Sequence, residues 1–224
     1  MIQRPLARII LLACLSWFGC SGEDVSVSNS ADDRYWTTPT EEAYMLYFEI
    51  SSNLRADLAA VGKIQYRLDR ARTIDRELYD VTKFPDWELG TLLVDVTPDL
   101  FAKFDSVSCR FNYKPLDEFL DRYPPLTIEK RFSYFVFHFT IDYNMPVLAN
   151  YLSKISGVMY ATANGIGTFP EVCLRDIHLV IAEELYRFYF VRGGLECFLE
   201  RVDQHSWLIL VMDDHVTLIS KKSL

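Results

Sequence analysis

The stretch FVFHFTIDYNMPVLANYLSKISGVMYATAN, residues 135–164, decides the fold. From Ser133 to Asp142 the residues Phe135, Phe137, Phe139 and Ile141 alternate onto one side of an extended chain, the period of a strand with one apolar face. The period then changes. Asn144 suits the cap of a helix over Met145 to Ser156 that gathers Leu148, Leu152 and Ile155 on one face, and Gly157 stops it. Val158 to Asn164 follows as another strand.

Working backwards, Leu126 and Ile128 alternate after Pro124-Pro125, and Leu116, Phe119, Leu120 and Tyr123 repeat as a short helix. From Gly90 on, Leu92, Val94 and Val96 alternate. The order over residues 90–168 is βαββαβ, the ferredoxin-like split arrangement with both helices on one face of the sheet. Upstream, residues 35–89 read as a helical segment. Thr38-Pro39-Thr40-Glu41 combines a capping Thr, a Pro at the first helical position and a Glu three residues after the cap, so a helix starts near residue 39. Its expected partner is an amphipathic helix over 54–79, with Leu54, Leu58, Val61, Leu68, Ala71 and Leu78 opposite Arg55, Asp57, Arg67, Asp69, Arg70 and Asp75.

Residues 169–224 read as an antiparallel β-meander: Leu185 to Arg192, a Gly193-Gly194 turn, Leu195 to Val202, Ser206 to Met212, an Asp213-Asp214 turn, and Val216 to Ser220. Trp207 to Met212 is apolar at every position, as expected of a central strand buried on both faces. The fold class expected is α+β: helices first, the ferredoxin-like unit next, the meander last, packed with that unit as one body.

With 50% hydrophobic, 14% aromatic and 24% charged residues, the 224-residue chain has the composition of a folded globular protein. Lys and Arg number 23 against 31 Asp and Glu, a net charge of −8, so no nucleic-acid partner is expected, because phosphate affinity comes from clustered cations. Residues 1–20, MIQRPLARIILLACLSWFGC, place Arg4 and Arg8 before an apolar run from Ile9 to Phe18. That run makes about 15 Å of helix against a bilayer core of about 30 Å, which suits a secretory signal better than a membrane span. Residues 21–34, rich in Ser and Asp, read as a flexible tether.

Three resemblances bear on function. The Gly19-Cys20 junction resembles a bacterial lipoprotein signal, which implies acylation of Cys20 and a lipid anchor in the cell envelope; cleavage near Ser21 or Gly22, and acylation at Cys14, are the alternatives. The runs FVFHFTID and LANYLSKISGVMYATAN are similar to the second half of the ferredoxin-like propeptides and inhibitors of subtilisin-type proteases, a likeness that covers residues 90–165. The tail GGLECFLERVDQHSWLILVMDDHVTLI resembles that of uncharacterised bacterial exported proteins through Cys197, His205 and Trp207.

Chemical signatures are sparse. The chain has no G-x-S-x-G, H-E-x-x-H or P-loop string, and no C-x-x-C. His205 with Asp213, Asp214 and His215 could meet across neighbouring turns around a metal, but carboxylates in hairpin turns serve turn geometry, so no metal or other cofactor is expected. Of the aromatic and histidine side chains, Tyr189 and His138 are those whose strand phase leaves them exposed, and they are the candidate interaction surface. Removal of the leader leaves Cys109, Cys173 and Cys197; a Cys173–Cys197 bridge is expected, with Cys109 a free thiol facing its own sheet. The expected function is that of a non-enzymatic exported lipoprotein that binds an unidentified protein or envelope partner. A protease inhibitor or propeptide-like domain, and an enzyme with a composite site, are the alternatives.

Overall fold

Asp57 accepts hydrogen bonds through Oδ1 from the backbone N–H groups of Ala59 and Ala60, at 2.9 and 3.3 Å, and so starts α2, Leu58–Arg72. The preceding helix, α1, is Pro39–Ile50. A computed structural model describes residues 39–83, 87–163, 175–193 and 205–223. The apolar period of α2 buries Val61, Ile64, Leu68 and Ala71, as its spacing requires, but the helix is shorter than the 54–79 expected. At Thr73 the chain turns, with the hydroxyl donating to the Arg70 carbonyl at 2.7 Å, and Asp75 caps a separate 3-10 turn over Arg76–Asp80. Leu78 therefore joins the core from a different element.

The central part of the chain folds as β1 (Thr91–Val96), α3 (Pro98–Lys103), α4 (Lys114–Arg122), β2 (Thr127–Lys130), β3 (Phe135–His138), α5 (Met145–Leu152) and β4 (Val158–Thr162). The strands form an antiparallel sheet in the order β2-β3-β1-β4. Leu92, Val94, Ile128, Phe135 and Phe137 point to one face, where α4 and α5 deliver Leu116, Phe119, Leu120, Leu148 and Leu152. β3 is shorter than its apolar run: Phe139 remains buried, but beyond His138 its N–H donates to the Gly90 carbonyl at 2.6 Å. Two glycines are required here. Gly90 has φ +67° and a Cβ on it would lie 2.6 Å from the Phe139 carbonyl oxygen; Gly157, φ +88°, leaves room for Leu100, whose Cδ1 would sit 2.5 Å from a Cβ.

The second antiparallel sheet has the order β5-β6-β7-β8, from Arg175–Ala182, Leu185–Arg192, His205–Met212 and His215–Ser223. It differs from the expected meander in two ways. β5 is an additional strand, joined to β6 by a two-residue Glu183-Glu184 turn in which Glu183 takes φ +56°. β6 pairs directly with β7, Phe190 opposite Trp207, so no strand from Leu195 to Val202 stands between them; those residues and Gly194 lie outside the described residues. The Asp213-Asp214 turn is as expected, with Met212 opposite His215.

Nor is β7 buried on both faces. Trp207, Ile209 and Val211 are buried, whereas Leu208 and Leu210 are half-buried and Met212 is exposed. The buried face packs under α1 and α2, which bring Leu46, Phe48, Val61, Ile64 and Leu68 across from the other end of the described chain. Among the described residues there are thus two apolar cores, with Trp87 packed against both. Backbone hydrogen bonds from Ala56 N–H to the Asp142 carbonyl, 2.8 Å, and from Asn144 N–H to the Leu54 carbonyl, 2.9 Å, tie the α1–α2 connection to the first unit.

Candidate functional site

The register of the second sheet fixes what its open face presents. Ile177, Phe190, Trp207 and their row-mates turn toward the helices, so the intervening rows turn away: His178, Tyr189, Leu208 and Ser220 in one, Val180, Arg187, Leu210 and Thr217 in the next. Tyr189 is 39% exposed, Val180 47% and Met212 50%. Tyr186, Phe188 and Phe190, its aromatic neighbours along the chain, are core residues. The alternation that singles out Tyr189 in the sequence therefore matches its place in the fold.

His138 stands on the other sheet, opposite Thr91 and Thr127. Its side chain is 36% exposed, and its Nε2 lies 3.3 Å from Glu129 Oε1, close enough for an ion pair but not aligned for a hydrogen bond. Glu88 is exposed as a residue, yet loss of water pushes its carboxyl above the usual range, against the pull of His138. Tyr189 and His138 belong to separate surfaces, one on each sheet.

A buried charged seam joins α1, α2 and the segment after the 3-10 turn, and no local motif announces it. The Glu42 carboxylate accepts from Arg72 Nη2 at 3.0 and 2.9 Å and from the Lys83 backbone N–H at 2.8 Å. Arg72 also donates to the Val81 carbonyl at 2.9 Å. Burial pushes the Glu42 carboxyl up, and Arg72 offsets only part of that. Lys83 Nζ lies 2.6 Å from Glu49 and 2.8 Å from Asp176, which in turn meets His178 Nε2 at 3.1 Å. Burial alone would lower the Lys83 pKa, but Asp176 and Glu49 outweigh it and the ammonium is held above its ordinary range. Through these two contacts Lys83 ties α1 to the strand Arg175–Ala182.

His205 and the turn group Asp213, Asp214 and His215, which could meet only across neighbouring turns, are separated. His205 begins β7 and stacks on Trp207 with ring centroids 6.0 Å apart, while Asp213, Asp214 and His215 lie at the far end of that eight-residue strand, roughly 23 Å away at the usual rise. The turn carboxylates instead fasten the β7–β8 hairpin to α2: Asp213 pairs with Arg67 at 3.5 Å, and Asp214 accepts from the Tyr66 hydroxyl. Among the described residues no group of three or more His, Cys, Asp or Glu side chains could hold a metal. Asp75 fastens the other end of the sheet, accepting from Trp207 Nε1 at 3.1 Å and Lys221 Nζ at 2.8 Å. The Lys221 hydrogen bond, then those from Glu77 N–H and Trp207, hold its carboxyl below the usual range.

Cys109 is not a free thiol. It lies on the turn between α3 and α4 with φ +54° and is disulfide-bonded, its partner being outside the described residues. Cys20, Cys173 and Cys197 also lie outside them. Among the described residues no helix is long and apolar enough to cross a membrane. No family model, curated protein or solved structure matches the chain.

Proposed function

We propose that this chain is an exported, lipid-anchored, non-enzymatic protein of the cell envelope that binds a protein partner through the open face of its second sheet. The observation that carries this reading is the unlike dressing of that sheet: one face is sealed by α1 and α2, and the other leaves Val180, Tyr189 and Met212 exposed beside half-buried Leu208 and Leu210. The apolar run before Cys20 supports export and anchoring. A disulfide at Cys109 fits the oxidising compartment that export implies. Capture from envelope extract by the full chain tests the reading: a protein retained by the wild type and lost with Tyr189→Glu supports it, and equal capture by both opposes it. Cys20→Ser is expected to abolish palmitate labelling and release the chain from membranes; persistent labelling would move the anchor to Cys14 or elsewhere.

A second reading rests on the first sheet. The β2-β3-β1-β4 order, every pair antiparallel and both α4 and α5 on one face, supports a ferredoxin-like unit akin to the subtilisin-type propeptides and inhibitors. Inhibition of a subtilisin by micromolar purified chain would favour this reading over the first.

A further inference from the structure

Two turns project together from one end of the first unit. Asp105 and Arg110 exchange backbone hydrogen bonds of 2.7 and 3.2 Å and close the turn between α3 and α4. Phe104 and Phe111, which flank that bridge, both pack on Phe135, the first residue of β3. The turn from β2 into β3 ends at the same residue and is closed by the Arg131 N–H, which donates to the Tyr134 carbonyl at 2.8 Å. At its tip Phe132 is 100% exposed, and Val107 on the neighbouring turn is 94% exposed; among the described residues no other large apolar side chain is as bare. The Val107 turn uses its polar groups within itself: the Asp105 carboxylate accepts from the Val107 N–H at 2.9 Å and the Ser108 hydroxyl at 2.6 Å, and Cys109 is disulfide-bonded. Lys103, whose carbonyl accepts from Asn112 at 2.9 Å, and Lys130, whose Nζ donates to the Phe101 carbonyl at 3.0 Å, stand beside the tips.

We propose that this end of the first unit dips Phe132 and Val107 into the surface of an anionic lipid bilayer, with Lys103 and Lys130 on the headgroups. The inference rests on the lipid-anchored reading above and is separate from the open face around Tyr189. Shape and size favour a bilayer. Two convex tips form no cleft for a small ligand, and their side chains offer roughly 300 Å² of apolar area, well short of the about 800 Å² that each partner of a specific protein complex buries. A bilayer takes up apolar side chains one at a time and adds attraction between cations and anionic headgroups. Lys103, Lys130 and Arg131 face two acids here, Asp105 and Glu129, so this end does not share the acid excess of a chain at −8. Because the Val107 and Arg131 N–H groups already have partners, insertion of the tips leaves neither donor stranded in lipid. Residues 21–38 separate Cys20 from α1 by at most about 60 Å of chain, so an anchored body stays within reach of the bilayer and a weak contact is enough.

Benzoylphenylalanine at position 132 of the full chain, on vesicles of mixed phosphatidylcholine and phosphatidylglycerol, tests the contact. After flotation of the vesicles, irradiation is expected to join this probe to lipid at least about fivefold more than the same probe at Leu58, which is 66% exposed at the start of α2. Lys103→Glu with Lys130→Glu, and vesicles of phosphatidylcholine alone, are each expected to cut that yield at least about threefold while the chain still floats. Flotation with equal lipid labelling at the two positions overturns the tip contact and leaves the anchor standing, whereas absence of flotation overturns both. A yield indifferent to the lysine changes, or labelling of a protein in place of lipid at position 132 in envelope membranes, also overturns the proposal.

Discussion

The first sheet draws its helical cover from its own stretch of chain, whereas the second draws it from α1 and α2, which precede the whole first unit. The two cores also differ in kind. The first holds no buried charged side chain among the described residues, and Phe104, Phe111 and Phe135 pack there at ring separations of 4.8 Å. Beside the second lie the Glu42–Arg72 pair and the Lys83 cluster, which fix how elements distant in sequence dock together. A core closed by neighbours in sequence specifies itself by pattern. A core closed across the chain uses charged partners that tolerate few wrong arrangements, since an unpaired charge left in the interior is costly.

Substitutions can break this contrast in order of size. Phe137→Ala, in the first core, is expected to cost about 3–5 kcal/mol in denaturant unfolding, and Leu148→Ala or Leu152→Ala about 2–5, because each leaves a cavity at a fully buried site. A loss below about 1 kcal/mol at all three would mean that this core is not close-packed. Glu42→Leu strands the Arg72 guanidinium and is expected to cost about 3 kcal/mol, part of it regained in Glu42→Leu/Arg72→Met, which removes the stranded charge but leaves the Lys83 N–H and the Val81 carbonyl without these partners. If the double variant is as unstable as the single one, those backbone hydrogen bonds and not the ion pair carry the seam.

Asp75→Asn is expected to cost about 1 kcal/mol at neutral pH by weakening the clasp on Trp207 and Lys221. The folded pKa of Asp75 is depressed, so its contribution is full above the ordinary aspartate value and is lost as pH falls through the folded one. Unfolding followed between about pH 2 and 5 should therefore show a flatter acid limb in Asp75→Asn than in the wild type. Glu42 works in the opposite sense: its folded pKa is raised, so its contribution is greatest in acid and declines as pH rises through that value. Tyr189→Ser, on the open face, is expected to change stability by less than about 0.5 kcal/mol in a thermal melt; a larger loss would mean that this face is part of the packing.

What could be read beforehand follows the same division. The phases of β1 and β3, and the buried faces of α4 and α5, follow from local period, because each lies beside its packing partners in sequence. β5 was harder to see. Ile177, Leu179 and Ile181 do alternate, but the turn that follows is Glu-Glu, without the Asn or Gly that ordinarily marks a tight hairpin. The apolar run of β7 suggested burial on both sides, yet Leu208 and Leu210 are only half-buried, since run composition cannot tell a covered face from an open one. Tyr189 was legible from alternation. Glu42, Arg72, Lys83 and Asp176 were not, because four charges at unrelated spacings carry no pattern until the fold assembles them.

The order in which the two cores can close has a consequence for biosynthesis. A chain emerging N-terminus first has made every described residue of the first core once Ala163 is out, but Leu46, Phe48 and Ile64 must wait for Phe188, Trp207 and Ile209. Until then the helices that will seal the second sheet have nothing to cover, and their apolar faces remain available to chaperones. A product truncated before β5 would carry one finished core and two bare helices, a form that proteolytic quality control can tell from the complete protein.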